Sequence, residues 1–245
     1  MVLSDLNIGK LGFSLSYVPI NDEDDVIQDE FNKILEEFVS SGFNYIDSSY
    51  RFEDAEFAFE KAIRNKYDIN SFKFCGKLAT WYRVRSRVTA VMQYDEILTR
   101  TGSRVLDMLS LDVVGGKNTN SFDEYDMWSF LDTKKKLKKI RCIGMYFKGD
   151  AEELDKLLQL HNLDFVQLDI DADKWKEDAN MVKCYEIVKK YNKPIIAMYT
   201  DKMDIAAENQ IAAVKFISEM ENVESVVVEL DSVEKVRQYA KLFED

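Results

Sequence analysis

Short runs of apolar residues, many β-branched or aromatic, alternate along this chain with longer stretches whose apolar positions recur every three or four residues. The short runs are LGFSLS from Leu11, NYID from Asn44, FKFCGKL from Phe72, DMLSLDVV from Asp107, IRCIGMY from Ile140, DFVQLDI from Asp164, PIIAMYT from Pro194 and SVVVEL from Ser225. The longer stretches include DEFNKILEEFVSS, AEFAFEKAIRNKY, EELDKLLQLH, VKCYEIVKKY, IAAVKFISEM and VEKVRQYAKLF. Near-continuous apolar strands joined by helical crossovers predict a parallel sheet covered on both faces. Eight strand–helix units in 245 residues, roughly 30 residues each, predict a (β/α)8 barrel. An open doubly wound sheet would carry a glycine-rich phosphate turn after an early strand. The chain has 9 glycines and no G-x-G-x-x-G, which favours the barrel. No Pro/Gly/Ser-rich linker divides residues 1–245, so they read as one domain. VVGGKNTNSFDE, after the fourth run, reads as a loop over the barrel mouth, and the aromatic residues of AEFAFEKAI read as core.

Composition narrows the function classes. Hydrophobic content of 46% and charged content of 32% are ordinary for a globular protein. No apolar run approaches the ~20 residues that span a bilayer, and the start MVLSDLNIGK lacks the basic end and apolar block of a signal peptide. Cys75, Cys142 and Cys184 share no C-x-x-C spacing, which argues against a disulfide framework or a zinc site and for a reducing cytoplasm. With 45 acids against 33 bases the net charge is −12, which argues against nucleic acid as a partner. The one basic run, KKKLKK at 134–139, follows the helical stretch EYDMWSFLDT and reads as a solvated helix end facing its own dipole. His161, the single histidine, reads as a helix C-terminal cap, and Arg83, Arg85 and Arg87 read as a solvated loop entering a helix.

Barrels of this kind place working groups where strands end and the following loops begin. Those ends carry Ser14, Asp47, Lys77, Asp112, Tyr146, Gln167 with Asp169, Tyr199 and Glu229. Asp47 and Lys77 fall on adjacent strands, so an ion pair across the mouth is expected. That would explain why the buried run NYID stops on an acid. Asp47, Asp112, Asp169, Asp171 and Glu229 could converge there as hard oxygen ligands, but no spacing signature accompanies them and no metal site is assigned.

GFNYIDSSYRFEDAE, FKFCGKLATW, LDMLSLD, KKIRCIGMYF, DFVQLDIDADKW and DSVEKVRQYAKLFED occur in an order that resembles the aldo-keto reductase family across nearly the whole chain. The nearest flavour is the bacterial subgroup that often carries a ferredoxin-like tail; that tail is not in this sequence, so no iron–sulfur cluster is expected. The family's chemistry is hydride transfer from a nicotinamide to a carbonyl carbon, with a tyrosine hydroxyl protonating the oxygen. A lysine paired to an aspartate makes that phenol a better acid, and a histidine orients the substrate. The resemblance implies that Asp47 and Lys77 match the aspartate and the lysine. The tyrosine's position, five residues after the aspartate, holds Phe52, and the histidine's holds Asp112. Phenylalanine has no proton to give, and an ionised Asp112 would put negative charge where an oxyanion forms. Tyr50, two residues before Phe52 and facing the same way in an extended segment, is a candidate replacement donor.

The resemblance also bears on the cofactor. Gln167 matches a glutamine of the sixth strand, and Tyr199 falls where many members stack an aromatic on the nicotinamide. Met145, Tyr146 and Phe147 stand where a small hydroxyl and an amide usually hold the carboxamide. TDKMDIAAENQ replaces a longer segment that folds over the cofactor, and Glu229 and Asp231 fall where relatives contact phosphate. NADP(H) binding is therefore expected to be weak or absent. Three readings follow: a pseudoenzyme that binds a small-molecule ligand or a partner protein, an active NADP-dependent reductase using Tyr50, and a barrel whose acidic mouth and Lys77 serve other chemistry.

Overall fold

A computed structural model of the protein describes residues 3–23, 25–48, 53–79, 85–200 and 206–244. Eight parallel strands close into one barrel in chain order. They are β1 (Leu11–Ser14), β2 (Tyr45–Asp47), β3 (Lys73–Ala79), β4 (Leu106–Val114), β5 (Ile140–Phe147), β6 (Phe165–Asp169), β7 (Ile195–Met198) and β8 (Val223–Val228). The ring closes where β1 pairs with β8, Leu11 opposite Val226. The expected (β/α)8 barrel is the fold observed.

The helices around it are α1 (Gln28–Ser40), α2 (Glu53–Ile63), α3 (Arg87–Thr101), α4 (Thr119–Glu124), α5 (Met127–Lys136), α6 (Ala151–Leu160), α7 (Ala179–Lys190), α8 (Ala207–Ser218) and α9 (Val233–Ala240). Their starts are set by local chemistry. Ser86 caps α3 in a reciprocal capping box with Thr89, Asp150 accepts from the Glu153 amide at α6, and Ser232 caps α9 through Lys235.

Three details depart from the expectations. VVGGKNTNSFDE does not stay a loop: Gly116–Asn118 form a 3-10 turn and Thr119–Glu124 form α4. Gly115, at φ 137, packs so closely that a Cβ would lie 2.4 Å from the Lys148 carbonyl oxygen. Glu153 then pins the segment by accepting from the Gly116 amide at 2.8 Å and from the Thr119 hydroxyl. In α2, Ala55, Ala58 and Phe59 face the core, but Phe57 is exposed beside Arg100 while Glu56 is buried, taking a hydrogen bond from Ser48. EYDMWSFLDT is broken at Asp126, whose left-handed backbone separates α4 from α5.

The basic run ends α5 as expected, yet only part of it is solvated. Lys135 pairs with Asp164 at 2.5 Å and the Lys134 ammonium lies 3.9 Å from the Tyr94 ring centroid. His161 does follow the last turn of α6, its amide bonded to the Leu157 carbonyl, and its ring stacks on Trp128 at 4.0 Å. Arg87 pairs with Asp126 at 2.6 Å, Arg85 is exposed, and Arg83 lies outside the described residues. Among the described residues no helix is long and apolar enough to cross a membrane.

The barrel interior is layered by the two-residue period of its strands. Its lower layer is apolar: Tyr45, Cys75, Met108, Cys142, Phe165, Ile196 and Val227 form one buried cluster, sealed below by Leu3 and Leu6. Two glycines make room for its rings. A Cβ on Gly144 would lie 2.5 Å from Phe165, and one on Gly12 would lie 2.5 Å from Tyr45. Two residues further along each strand, the inward positions become Asp47, Lys77, Ser110, Gln167 and Met198, and this upper layer opens into the mouth.

Candidate active site at the barrel mouth

Asp47 ends β2 and Lys77 lies within β3, where both side chains point inward. The Lys77 ammonium lies 3.1 Å from Asp47 Oδ1, with side-chain exposures of only 6% and 1%. Gln167 on β6 completes the arrangement by donating its amide to both Asp47 oxygens, at 3.0 and 2.9 Å. Burial pushes the Asp47 carboxyl up, only partly offset by Lys77 and the Gln167 amide. Burial alone would lower Lys77, but Asp47 and Asp112 more than offset it, so its pKa is raised. Asp47 thus favours the protonated Lys77, while Lys77 and the Gln167 amide recover for the Asp47 carboxylate part of what burial removes.

Above this pair lies a cavity of about 220 Å³ bordered by Lys77, Asp112, Tyr146, Tyr199 and Glu229. Asp112, two residues before the end of β4 and opposite Ala79 of β3, is 8% exposed. The Tyr146 ring covers Lys77, whose ammonium lies 4.9 Å from the ring centroid, and Lys148 lies 4.7 Å from the same ring. The Tyr146 hydroxyl donates to Asp169, which also pairs with Lys148 at 2.9 Å. Burial first, and then the Asp169 charge, push the Tyr146 phenol far above its ordinary value.

The structure therefore brings Asp47, Lys77, Asp112, Gln167, Tyr146 and Tyr199 to one end of the barrel. Tyr50 and Phe52 lie outside the described residues. The five acids do not form one cluster. Asp112 and Glu229 border the cavity and Asp47 is sealed beneath Lys77, whereas Asp169 and Asp171 border a separate cavity of about 350 Å³ between β5, β6 and α7. Asp169 is held by the Tyr146 hydroxyl and Lys148, and Asp171 lies beyond the end of β6, where the chain leaves the barrel and its carboxylate caps the amides of Asp173 and Lys174. Among the described residues no three His, Cys, Asp or Glu side chains are arranged to hold a metal ion.

Two mouth residues escape a reading confined to strand ends: Ser16 and Lys148, both of which border the cavity. Ser16 donates to Glu229 Oε1 at 3.0 Å, and its hydroxyl lies 2.7 Å from that of Ser14. Each stands two residues beyond an inward position already recognised, Ser14 and Tyr146, so extending the period by one step would have found them.

A parallel eight-stranded barrel with a buried lysine–aspartate pair under its mouth defines the general class of barrel proteins whose working end is the C-terminal end of the strands. Within that class the chain belongs to the aldo/keto reductase family, whose family model matches residues 17–242. The fold is similar to that of the holo form of aldo-keto reductase AKR11C1 from Bacillus halodurans, with a TM-score of 0.75 and 13% identity over 97% of this chain and 87% of that one. It is also similar to an aldo-keto reductase from Klebsiella pneumoniae in complex with NADPH, with a TM-score of 0.72 and 15% identity over 96% and 85%. The glycerol dehydrogenase AKR11B4 from Gluconobacter oxydans gives a TM-score of 0.72 and 13% identity over 97% and 87%. Comparison with curated protein sequences returned no match.

Proposed function

We propose that this aldo/keto reductase-family barrel has lost, or strongly reduced, NADP-dependent carbonyl reduction and uses its mouth to bind a small-molecule ligand or a partner protein. The observation that carries this reading is the environment of Lys77. Its ammonium faces Asp47 and the Tyr146 ring, and the Tyr146 phenol is committed to Asp169. A hydroxyl that donates to a carboxylate, with its pKa driven upward, is a poor proton donor to a developing alkoxide. The positions matching the family's tyrosine and histidine hold Phe52 and Asp112, the second of which adds negative charge beside the reacting centre. A positioned general acid typically contributes about 10²–10⁴-fold, equivalent to about 3–5 kcal/mol of barrier.

The described residues fit a nicotinamide dinucleotide poorly. The Gln167 amide nitrogen is held by Asp47, leaving its Oε1 as the part free to accept, the side chain of Tyr146 stands at the end of β5, and Glu229 and Asp231 would face phosphate, with Lys235 3.0 Å from Asp231 among the described residues. The affinity for NADPH is therefore very weak. Kinship to the subgroup with ferredoxin-like tails is part of the same proposal and rests on the motif resemblance alone.

A second reading is favoured by one observation, the intact Asp47–Lys77 pair. In it the protein remains a reductase with Tyr50 as donor. Titration with NADPH at moderate salt, followed by tryptophan fluorescence, together with assays of aldehyde and quinone reduction, separates the two. Little binding and little turnover are expected. A micromolar dissociation constant with turnover that disappears in Tyr50→Phe would overturn the proposal in favour of the reductase.

A further inference from the structure

We infer that the mouth cavity is a binding site for a small zwitterion, an amino acid or ω-amino acid held with its ammonium and its carboxylate on opposite walls. This rests on reading the mouth as a ligand site rather than a reduction centre. At about 220 Å³ the cavity lies below the roughly 300–1,000 Å³ of sites for drug-sized ligands, so its occupant is compact.

The charges around it are sorted by strand. On the β8–β1 side, Glu229 takes the Ser16 hydroxyl on one of its two oxygens, and Ser14 stands behind Ser16. That wall offers a carboxylate and hydroxyl oxygens, which suit an ammonium. Facing it across the barrel are Lys77 from β3 and Lys148 just beyond β5. Each lysine has three N–H donors. Lys77 directs one at Asp47 beneath the cavity, and Lys148 directs one at Asp169, which borders the neighbouring cavity. Donors therefore remain for a carboxylate on that side.

Other ligand classes fit less well. A monoanion would meet Glu229 and Asp112, and a monocation would meet two ammonium groups. An uncharged ligand would desolvate Glu229 and the two lysines without adding a charge partner to any of them. Asp112, on the same side as the lysines, lowers the net positive charge of that wall and so works against phosphates and other multiply charged anions. Ser14, Lys77 and Asp112 are each more than nine-tenths buried, so the floor of the site is built into the barrel, while Lys148 at its rim is exposed.

Calorimetric titration, without cofactor, of the unbranched series from glycine to 5-aminopentanoate tests the inference, with butylamine and butanoate as single-charge controls. At least one member of the series is expected to bind at least about tenfold tighter than either control, a difference of about 1.4 kcal/mol. Glu229→Gln is expected to remove most of that advantage without weakening butanoate binding, and Lys148→Met to remove it without weakening butylamine binding. Thermal melting confirms that each variant is folded. Equal or absent binding of the series and the controls, or an advantage that survives both substitutions, would overturn the zwitterion site. Because no cofactor enters this assay, its outcome is independent of whether the protein reduces carbonyls.

Discussion

The lower and upper layers of the barrel interior are built from the same strands, two residues apart, yet they have opposite chemistry. Below, Cys75, Met108, Cys142, Phe165, Ile196 and Val227 pack as an apolar plug in which the only polar side-chain hydroxyl of the layer, that of Tyr45, has no hydrogen-bond partner. Above, Asp47, Lys77 and Gln167 are nearly as buried, but Lys77 and the Gln167 amide nitrogen both bond to Asp47, leaving Gln167 Oε1 without a partner among the described residues. Burial is the same in both layers, so burial alone does not define the site. What differs is whether the buried groups are apolar and stabilise by packing, or charged and tolerable only while every partner stays in place.

Breaking the upper layer is expected to cost most. Lys77→Met leaves the Asp47 carboxylate buried without its counter-charge and should lower stability by about 3–5 kcal/mol, measured by urea unfolding. The sign of the pH dependence follows from Lys77 being raised above the ordinary lysine value of 10.5. The folded chain then holds this proton more tightly than the unfolded chain, so the contribution is fully present below pH 10.5 and is lost as pH rises through the folded-state value. The gap between wild type and Lys77→Met should narrow above pH 10.5; a gap that widens there would contradict the ion pair.

In the lower layer, Phe165→Ala should cost a similar amount, about 3–5 kcal/mol, by opening a cavity. Its loss should be independent of pH, and that contrast is the sharpest way to separate the two layers. Next in size, Gly144→Ala would force a methyl group against the Phe165 ring and should cost about 1–3 kcal/mol. Combining it with Phe165→Leu, which vacates that space, should recover part of the loss; no recovery would mean that the glycine serves some other purpose.

The smallest effect concerns Tyr45. Removing an unpartnered hydroxyl in Tyr45→Phe should leave stability unchanged or raise it by up to about 1 kcal/mol. A clear loss instead would show that the hydroxyl has a partner such as a buried water, and that the lower layer is less apolar than its contacts imply.

Much of the fold was legible in the sequence because parallel strands covered on both faces are continuously apolar, and their spacing does not depend on what packs against them. All eight runs became strands, and the alternation along them placed Asp47, Lys77, Asp112 and Gln167 at the correct end of the barrel. The break at Asp126 was hidden because a left-handed residue inside a helical period leaves no mark on hydrophobic spacing. The burial of Glu56 was hidden because one partner, Arg100 on α3, is distant in sequence, and the other, Ser48, is brought beside it only in the folded chain. The segment around Gly115 read as a loop for the same reason, since the carboxylate that fixes it comes from Glu153 on α6.

The sequence by itself determined the order of the strands and, through their two-residue period, which positions face inward, though Lys77 and Asp112 lie within β3 and β4 rather than at their ends. Only the tertiary structure decided what those strand ends do to one another. It turned the Gln167 amide onto Asp47, laid Tyr146 over Lys77 and tied it to Asp169, and sent Asp171 into a different cavity. Such choices depend on hydrogen bonds and close charges between strands up to 120 residues apart in the chain. Their energies fall off over a few ångströms, a scale that strand order fixes only once the barrel has closed.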